Sequence, residues 1–392
     1  MPIGVFVLAV AVFAQGTSEF MMSGLLAGTA ADFGVSLGAV AALTAVYAVG
    51  MVLGAPAMAV TAGRWPLRRS ATTFLTVFCL AHVVGALTED FAVLVATRVL
   101  AAIANAGFLA IVLAALPRLV GPALIGRATS VVVSGVTVAC IAGVPAGTVL
   151  GQLWGWRSAF WAVALVSAVV LVPVAALLPR TADAVASTSL RAERTVFGLR
   201  PVRVAVVAAI LVNAATFAGF TYLGTITAAS AGIDSGWVPA VLALFGLGSF
   251  AGVTLTGRFS DRYGALIVTA GTTGLVGVWV LAAVAAHTIA GLAVMTFVTG
   301  AAAFGVGSAL IATIVRTAAP SAPRLAGALA TTALNIGAVL GPVVAGVVVD
   351  HTGDPVAALW CGAVAAAAAA LIVLADRFRR SPAPAAETAD AC

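Results

Sequence analysis

Residues 203–228 read RVAVVAAILVNAATFAGFTYLGTITA, an apolar run whose only charged residue, Arg203, stands at its start. A helix needs about 20 such residues to cross the hydrocarbon of a bilayer, where every backbone polar group must be satisfied within the helix. The run therefore reads as a membrane-spanning helix. The rest of the chain repeats the pattern: of 392 residues, 62% are apolar, 8% are charged and 41 are glycine, with a mean hydropathy of +1.18. A soluble domain carries about a quarter charged residues, so this chain cannot cover a water-facing surface. An all-α integral membrane protein is the fold class these numbers leave.

Charge, proline and glycine gather between the apolar runs and mark twelve predicted spans. They lie near 3–27, 36–61, 70–88, 91–116, 127–151, 158–178, 203–228, 238–257, 265–285, 290–315, 325–349 and 356–375. The longest polar interval, Pro179 to Arg203, follows the sixth span. It divides the chain into an N-terminal six-helix bundle over 1–178, a central loop over 179–202 and a C-terminal six-helix bundle over 203–376. A tail over 377–392 is expected to be disordered. The start MPIGVFVLAV has no basic region, so it reads as a retained first helix and not as a removable signal.

All 19 basic residues are arginine. Apart from Arg98, inside span four, and Arg157, they fall in the loops after spans two, four, six, eight, ten and twelve, whereas the alternate loops hold Asp32, Glu89, Asp90, Asp234, His287, Asp350 and Asp354, with Arg157 as their single arginine. The positive-inside rule then places both termini in the cytoplasm and makes a nucleic-acid partner an unneeded explanation of the basic pI. Cys79, Cys140, Cys361 and Cys392 have neither disulfide-framework nor metal-ligand spacing.

Sliding one half on the other by 198 residues superposes Gly50 on Gly248, Gly54 on Gly252, Ala59 on Gly257, Arg64 on Arg262 and Trp65 on Tyr263. Parallel six-helix repeats of this kind put a substrate site near the bilayer midplane, between the halves.

Two motifs sit at span ends. GRFSDRYG, Gly257 to Gly264, closes span eight, and its first-half counterpart AVTAGRWP retains Arg64 but carries Gly63 where the second half has Asp261. SGVTVACIAGVPAGTVLG, Ser134 to Gly151, occupies span five, where small residues four apart permit close helix approach and Pro145 removes a backbone hydrogen bond. The first motif resembles the loop signature of the major facilitator superfamily, and the second resembles the antiporter signature of its drug-exporting branch, with Val144 before the proline. The resemblance implies gating roles for Arg64, Gly143, Pro145, Gly147, Gly257, Asp261, Arg262 and Gly264. A solvated basic loop, or plain helix packing, is the competing account of these residues.

Within the spans, Glu19 is the acid lying well inside the membrane, and Arg98 is the arginine of comparable depth, each about 11 to 12 Å from the outer end. A charge there costs on the order of 3 kcal/mol, so such residues face the bundle interior and serve ions, protons or substrates. Their equivalents at the 198-residue offset, Phe217 and Thr296, do not carry charge, which puts proton coupling in the first half. Burial and a nearby guanidinium act in opposite senses on a carboxyl's proton affinity, so a moving helix can load and release the proton. A static ion pair fixing spans one and four is the alternative. The candidate substrate groups are Gln15, Tyr47, Asn105, Phe108, Asn213, Phe217, Tyr222 and Asn335, with Phe13, Phe220 and Phe304 interspersed. His82 has no sequence partner and is assigned to packing.

The combination of GTSEFMMSGLL, TRVLAAIANAGFLA, GVPAGTVLGQLWGWR and ALNIGAVLGP looks like the chloramphenicol-resistance exporters of bacteria, within the twelve-helix drug:proton antiporters. That resemblance implies proton-driven efflux of a neutral amphipathic drug by a protein of the bacterial cytoplasmic membrane, acting as a monomer. Its implied partners are the drug, protons and the lipid bilayer. A sugar or small-metabolite exporter, or a broader multidrug exporter, is the rival on the same fold. No enzyme is implied: the spans hold no HExxH, no complete GxSxG and no carboxylate pair, and a chain without lysine holds no P-loop lysine. No cofactor and no metal are expected.

Overall fold

The computed structural model describes residues 2–61, 65–120, 125–178, 196, 198–229, 234–318 and 325–380, and these fold as helices joined by short turns. The helices are α1 (Ile3–Phe20), α2 (Met22–Phe33), α3 (Leu37–Thr61), α4 (Leu67–Leu87), α5 (Phe91–Leu119), α6 (Ile125–Val138) and α7 (Val144–Trp154). There follow α8 (Arg157–Leu177), α9 (Arg200–Ala229), α10 (Val238–Ala285), α11 (Ile289–Ala318), α12 (Leu325–Thr352) and α13 (Ala357–Arg380). They supply 12 stretches long and apolar enough to cross a membrane. Leu165, Val169 and Val172 on α8 and Leu371 on α13 point outward with well over half their surface uncovered. Lipid solvates such faces without cost.

Four spans depart from the simple expectation. The first is not one helix over 3–27, because the ladder tightens at Met21: its N–H binds the Thr17 carbonyl, and the Gly24 N–H then binds the Met21 carbonyl three residues back. The fifth span contains a π-helical turn, Ala139–Gly143, placed just before Pro145, where the missing proline N–H interrupts the regular ladder. The loop expected over 257–264 is instead helical. Spans eight and nine are two helices that meet at a kink, labelled together as α10, and Tyr263 (φ −122°, ψ 16°) is where the backbone leaves the helical region between them.

Glycines set the closest helix crossings. Cβ atoms built at Gly50 and Gly54 on α3 would stand 2.9 Å from the Val99 carbonyl oxygen and 2.8 Å from the Ile103 Cα on α5. At Gly248 and Gly252 on α10 they would collide with the carbonyls of Phe297 and Ala301 on α11. All four glycines and all four of their partners are related by the same 198-residue offset, so the sequence repeat is also a repeat of packing. Between the halves, Gly224 of α9 lies against the Ser23 carbonyl, and a Cβ at Gly246 of α10 would stand 2.6 Å from the Cys140 carbonyl oxygen in the π-helical turn. Helix α12 runs along α3, where the Asp350 carboxylate accepts hydrogen bonds from the Ser36 hydroxyl (2.8 Å) and the Gly38 N–H (3.1 Å).

Candidate functional site

Ser18 and Glu19 are successive residues of α1, so their side chains diverge by about 100° around the helix. Ser18 faces α4 and α5. There Arg98, only 1% exposed, donates from Nη1 to the Ser18 hydroxyl (2.8 Å) and from Nη2 to the Ser18 carbonyl (2.9 Å). Its guanidinium lies 4.3 Å from the centre of the Tyr47 ring, and the Tyr47 hydroxyl accepts from Asn105 at 3.1 Å. A guanidinium placed in hydrocarbon is expected to find such acceptors, because an unpaired charge there is costly.

Glu19 is partly accessible, and among the described residues it makes neither an ion pair nor a side-chain hydrogen bond. Arg98, Tyr47 and Cys140 are its electrostatic neighbours. The static pair between spans one and four is therefore not the arrangement here; the arginine is spent on Ser18. Gln15, one turn earlier on the Glu19 face, is 1% exposed and has neither its amide nitrogen nor its oxygen partnered among the described residues. Leaving such groups unmet costs about 1–3 kcal/mol each, which a polar ligand or water would recover.

Beside α1 a set of aromatic residues spans both halves. Phe20, Cys140, Thr216, Phe217, Phe220, Phe245 and Phe304 surround a cavity of about 10 Å³. Phe20 packs on Phe217 (5.9 Å between centroids) and edge-on to Phe220 (6.0 Å), Phe220 lies 4.7 Å from Phe245, and Phe245 meets Phe304 edge-on at 5.9 Å. Such rings can part and reclose around an apolar, π-bearing ligand with little polar desolvation.

The remaining sequence candidates are dispersed. Phe108 is buried within the first-half core with Val5, Leu8 and Leu116, away from this cavity. Asn213 donates to the Leu334 carbonyl at 2.6 Å, tying α9 to α12, and Asn335 donates to Thr331 within its own helix. Tyr222 is fully buried, with its hydroxyl near Gly346 and without a partner among the described residues. Gly143 packs closely on Thr17 and Phe13, Gly147 on Ala159 and Met21, and Pro145 stands in the first turn of α7. Gly257 and Gly264 lie on α10, Gly264 beside Arg316. Arg64 and the side chains of Asp261 and Arg262 fall outside the described residues.

Phe20 and Phe245 were not among the sequence candidates. Phe245 stands 198 residues after Tyr47, so the repeat offset carried the signal for it. Nothing local marked Phe20 apart from its adjacency to Glu19.

The arginine-poor end carries a further cluster. Arg157 pairs with Asp32, donates to the Thr88 carbonyl at 3.0 Å, and stacks on Trp156. Hydrogen bonds from Trp156 and Arg157 hold the Asp32 carboxyl below the usual aspartate range. This explains how one arginine stands on that side: its charge is neutralised locally.

Comparison with known proteins agrees with this architecture. The family model of the Major Facilitator Superfamily matches residues 8–244 and again 225–391. A chloramphenicol resistance protein of Streptomyces lividans is 45% identical over 376 residues, which is 95% of each chain. The inner membrane transport protein YdhP of Escherichia coli (strain K12) is 31% identical over 348 residues, 88% of each. Among solved structures, the nucleoside transporter NupG aligns with a TM-score of 0.78 at 14% identity, over 95% of this chain and 98% of that one. A bacterial homolog of the human lysosomal transporter Spinster, inward-facing and occupied, aligns at 0.76 and 17% identity, over 97% and 98%. At these identities the two structures speak for the fold.

Proposed function

Because this chain belongs to the Major Facilitator Superfamily, we propose that it exports a neutral amphipathic drug, chloramphenicol, in exchange for protons by alternating access. The observation that carries the reading is the 45% identity with the Streptomyces lividans resistance protein over 95% of both chains. The site is compatible in its chemistry: a carboxyl, Glu19, and an amide, Gln15, both without a partner among the described residues, and a closed aromatic cluster between the halves suit a neutral ligand with one apolar ring and several polar groups.

In this reading the arginine-rich end faces the cytoplasm of a bacterial cell and the arginine-poor end faces outward. With Asp350 bridging to α3 and Gly224 seated against Ser23, the outer ends of the halves are in contact. Drug enters from the cytoplasm and packs among Phe217, Phe220 and Phe245, meeting the Gln15 amide. The halves then rock, the Asp350 contacts part, and drug leaves outward while Glu19 takes up a proton. Return of the halves carries that proton inward. Exchange of a neutral drug for one proton moves net charge, so both the pH gradient and the membrane potential drive the cycle, the latter by roughly 2.3 kcal/mol per charge per 100 mV.

The test is accumulation of labelled chloramphenicol in cells expressing the protein. Accumulation falls in energised cells and returns to the level of non-expressing cells when an uncoupler collapses the gradient. Equal accumulation with and without expression, for chloramphenicol and for several other amphipathic drugs, overturns the exporter reading.

A further inference from the structure

His82 lies on α4 at 1% exposure, walled by Phe78 (4.3 Å between ring centres) and Phe160 (5.6 Å). Packing alone would not aim its nitrogens. Yet Nδ1 stands 2.7 Å from the Phe78 carbonyl oxygen, and Nε2 stands 2.6 Å from the Ser18 hydroxyl. A carbonyl only accepts, so Nδ1 carries the hydrogen and the Nε2 lone pair accepts from Ser18. The Ser18 oxygen is then free to accept from Arg98 Nη1. Every link has one direction: Arg98 to Ser18, Ser18 to His82, His82 to Phe78. A doubly protonated imidazole would reverse the middle link and set a second cation beside the guanidinium.

We propose that Ser18 and His82 form a clamp that holds Arg98 on the α1 backbone and out of a salt bridge with Glu19, so setting the pH range over which transport is coupled. His82 is a positioning residue; it touches neither the drug cavity nor Glu19. With both terminal nitrogens of Arg98 engaged on Ser18, and Glu19 pointing about 100° away around α1, the guanidinium acts on the carboxyl through space and not through a bond. The ionisable groups facing this region are Glu19 from α1, Tyr47 from α3, Arg98 from α5 and Cys140 from the π-helical turn, while α8 presents the ring of Phe160. If the clamp is removed, the guanidinium can turn to the free carboxylate, which is the better acceptor. The second half has no counterpart, since the residue 198 positions after His82 is Val280.

This inference rests on proton coupling at Glu19, and two measurements separate it from that reading. The first is thermal unfolding of the purified full chain in detergent for Ser18→Ala, His82→Leu and the double variant. A clamp makes the losses non-additive, so the double variant melts with the lower of the two single variants; additive losses overturn the clamp. This arm does not depend on Glu19 carrying protons.

The second measurement is the pH profile of chloramphenicol efflux in liposomes. The midpoint moves by about 1 pH unit in His82→Leu, returns in His82→Gln, whose amide oxygen can accept from Ser18, and does not move in an Arg98→Ala background. An unmoved midpoint, or a shift that persists without Arg98, overturns the proposal. If His82→Leu does not fold, Ser18→Ala against Ser18→Thr provides the same contrast. Should Glu19→Gln keep wild-type proton-driven efflux, the coupling reading fails while the melting cycle still decides the clamp.

Discussion

The two halves place different chemistry at the same positions of one repeat. Ser18, Glu19, Tyr47 and Arg98 in the first half correspond at the 198-residue offset to Thr216, Phe217, Phe245 and Thr296 in the second. In the first set a buried guanidinium is hydrogen-bonded to Ser18 and lies over the Tyr47 ring, with the Glu19 carboxyl nearby but not bonded to it. The second is a wall of aromatic rings, with Thr216 spending its hydroxyl on Val212 in its own helix. The backbone frame is common, since equivalent glycines make the equivalent crossings of α3 on α5 and of α10 on α11. Such a division confines the desolvation cost of charge to one bundle and leaves the other free to adapt its shape to an apolar ligand.

Glu19→Gln bears on this contrast most directly. It mimics the protonated carboxyl and cannot release a proton, so uphill efflux in liposomes should fall at least ~100-fold, while drug exchange down its own gradient persists. Full proton-driven efflux by this variant would place the coupling elsewhere, and the asymmetry between the halves would then concern structure alone.

On the other wall, Phe220→Ala removes a ring that touches Phe20, Phe217 and Phe245. Loss of one aromatic contact surface should weaken drug binding about 10-fold, in line with roughly 1.4 kcal/mol, and leave the pH profile of transport unmoved. A moved profile with unchanged affinity would show that the aromatic half takes part in coupling.

A smaller effect is expected at the crossing that joins the halves. Asp350→Ala strips the partners from the Ser36 hydroxyl and the Gly38 N–H. Thiol labelling of a cysteine placed at Ser23 should become a few-fold faster, because losing two hydrogen bonds to a charged group, about 1.5–3 kcal/mol each when sheltered and less in this exposed setting, favours parted outer ends. Labelling at the wild-type rate would mean that the close contact of Gly224 with Ser23 suffices to hold them.

Smallest of all should be acid loosening around Asp32. Its carboxyl titrates below the ordinary aspartate value in the folded protein, so its contribution is present above that value and fades as pH falls through the lowered one. Its side chain is 42% exposed, which screens the effect. Melting curves of wild type and Asp32→Asn should therefore differ slightly at neutral pH and converge in strong acid; a gap that widens in acid would contradict this.

Much of the molecule was legible in the sequence because the bilayer imposes simple rules. Long apolar runs must be helices, so the twelve spans follow from composition, and the glycine pairs at the 198-residue offset follow from the repeat. The sequence also singled out Glu19 and Arg98, because ionisable groups at that depth are rare. Local turns were less legible. Residues 257–264, rich in polar groups, look like a loop, yet the backbone is helical there except at the kink at Tyr263. The π-helical turn at Ala139–Gly143 was signalled only by the proline that follows it.

What composition and periodicity determined, then, is which residues enter the membrane and which of them carry charge, since both depend on solvation counted along one helix. Which charge meets which group depends on how side chains from helices far apart in sequence converge, and only the tertiary structure decided that. Arg98 and Glu19 are level in depth, which suggests a pair. But α1 turns by about 100° between Ser18 and Glu19, so the guanidinium that approaches from α5 lands on Ser18, whose hydroxyl is bonded in turn to His82. The same convergence removes Phe108 to an apolar core and brings Phe20 and Phe245 to the space between the halves.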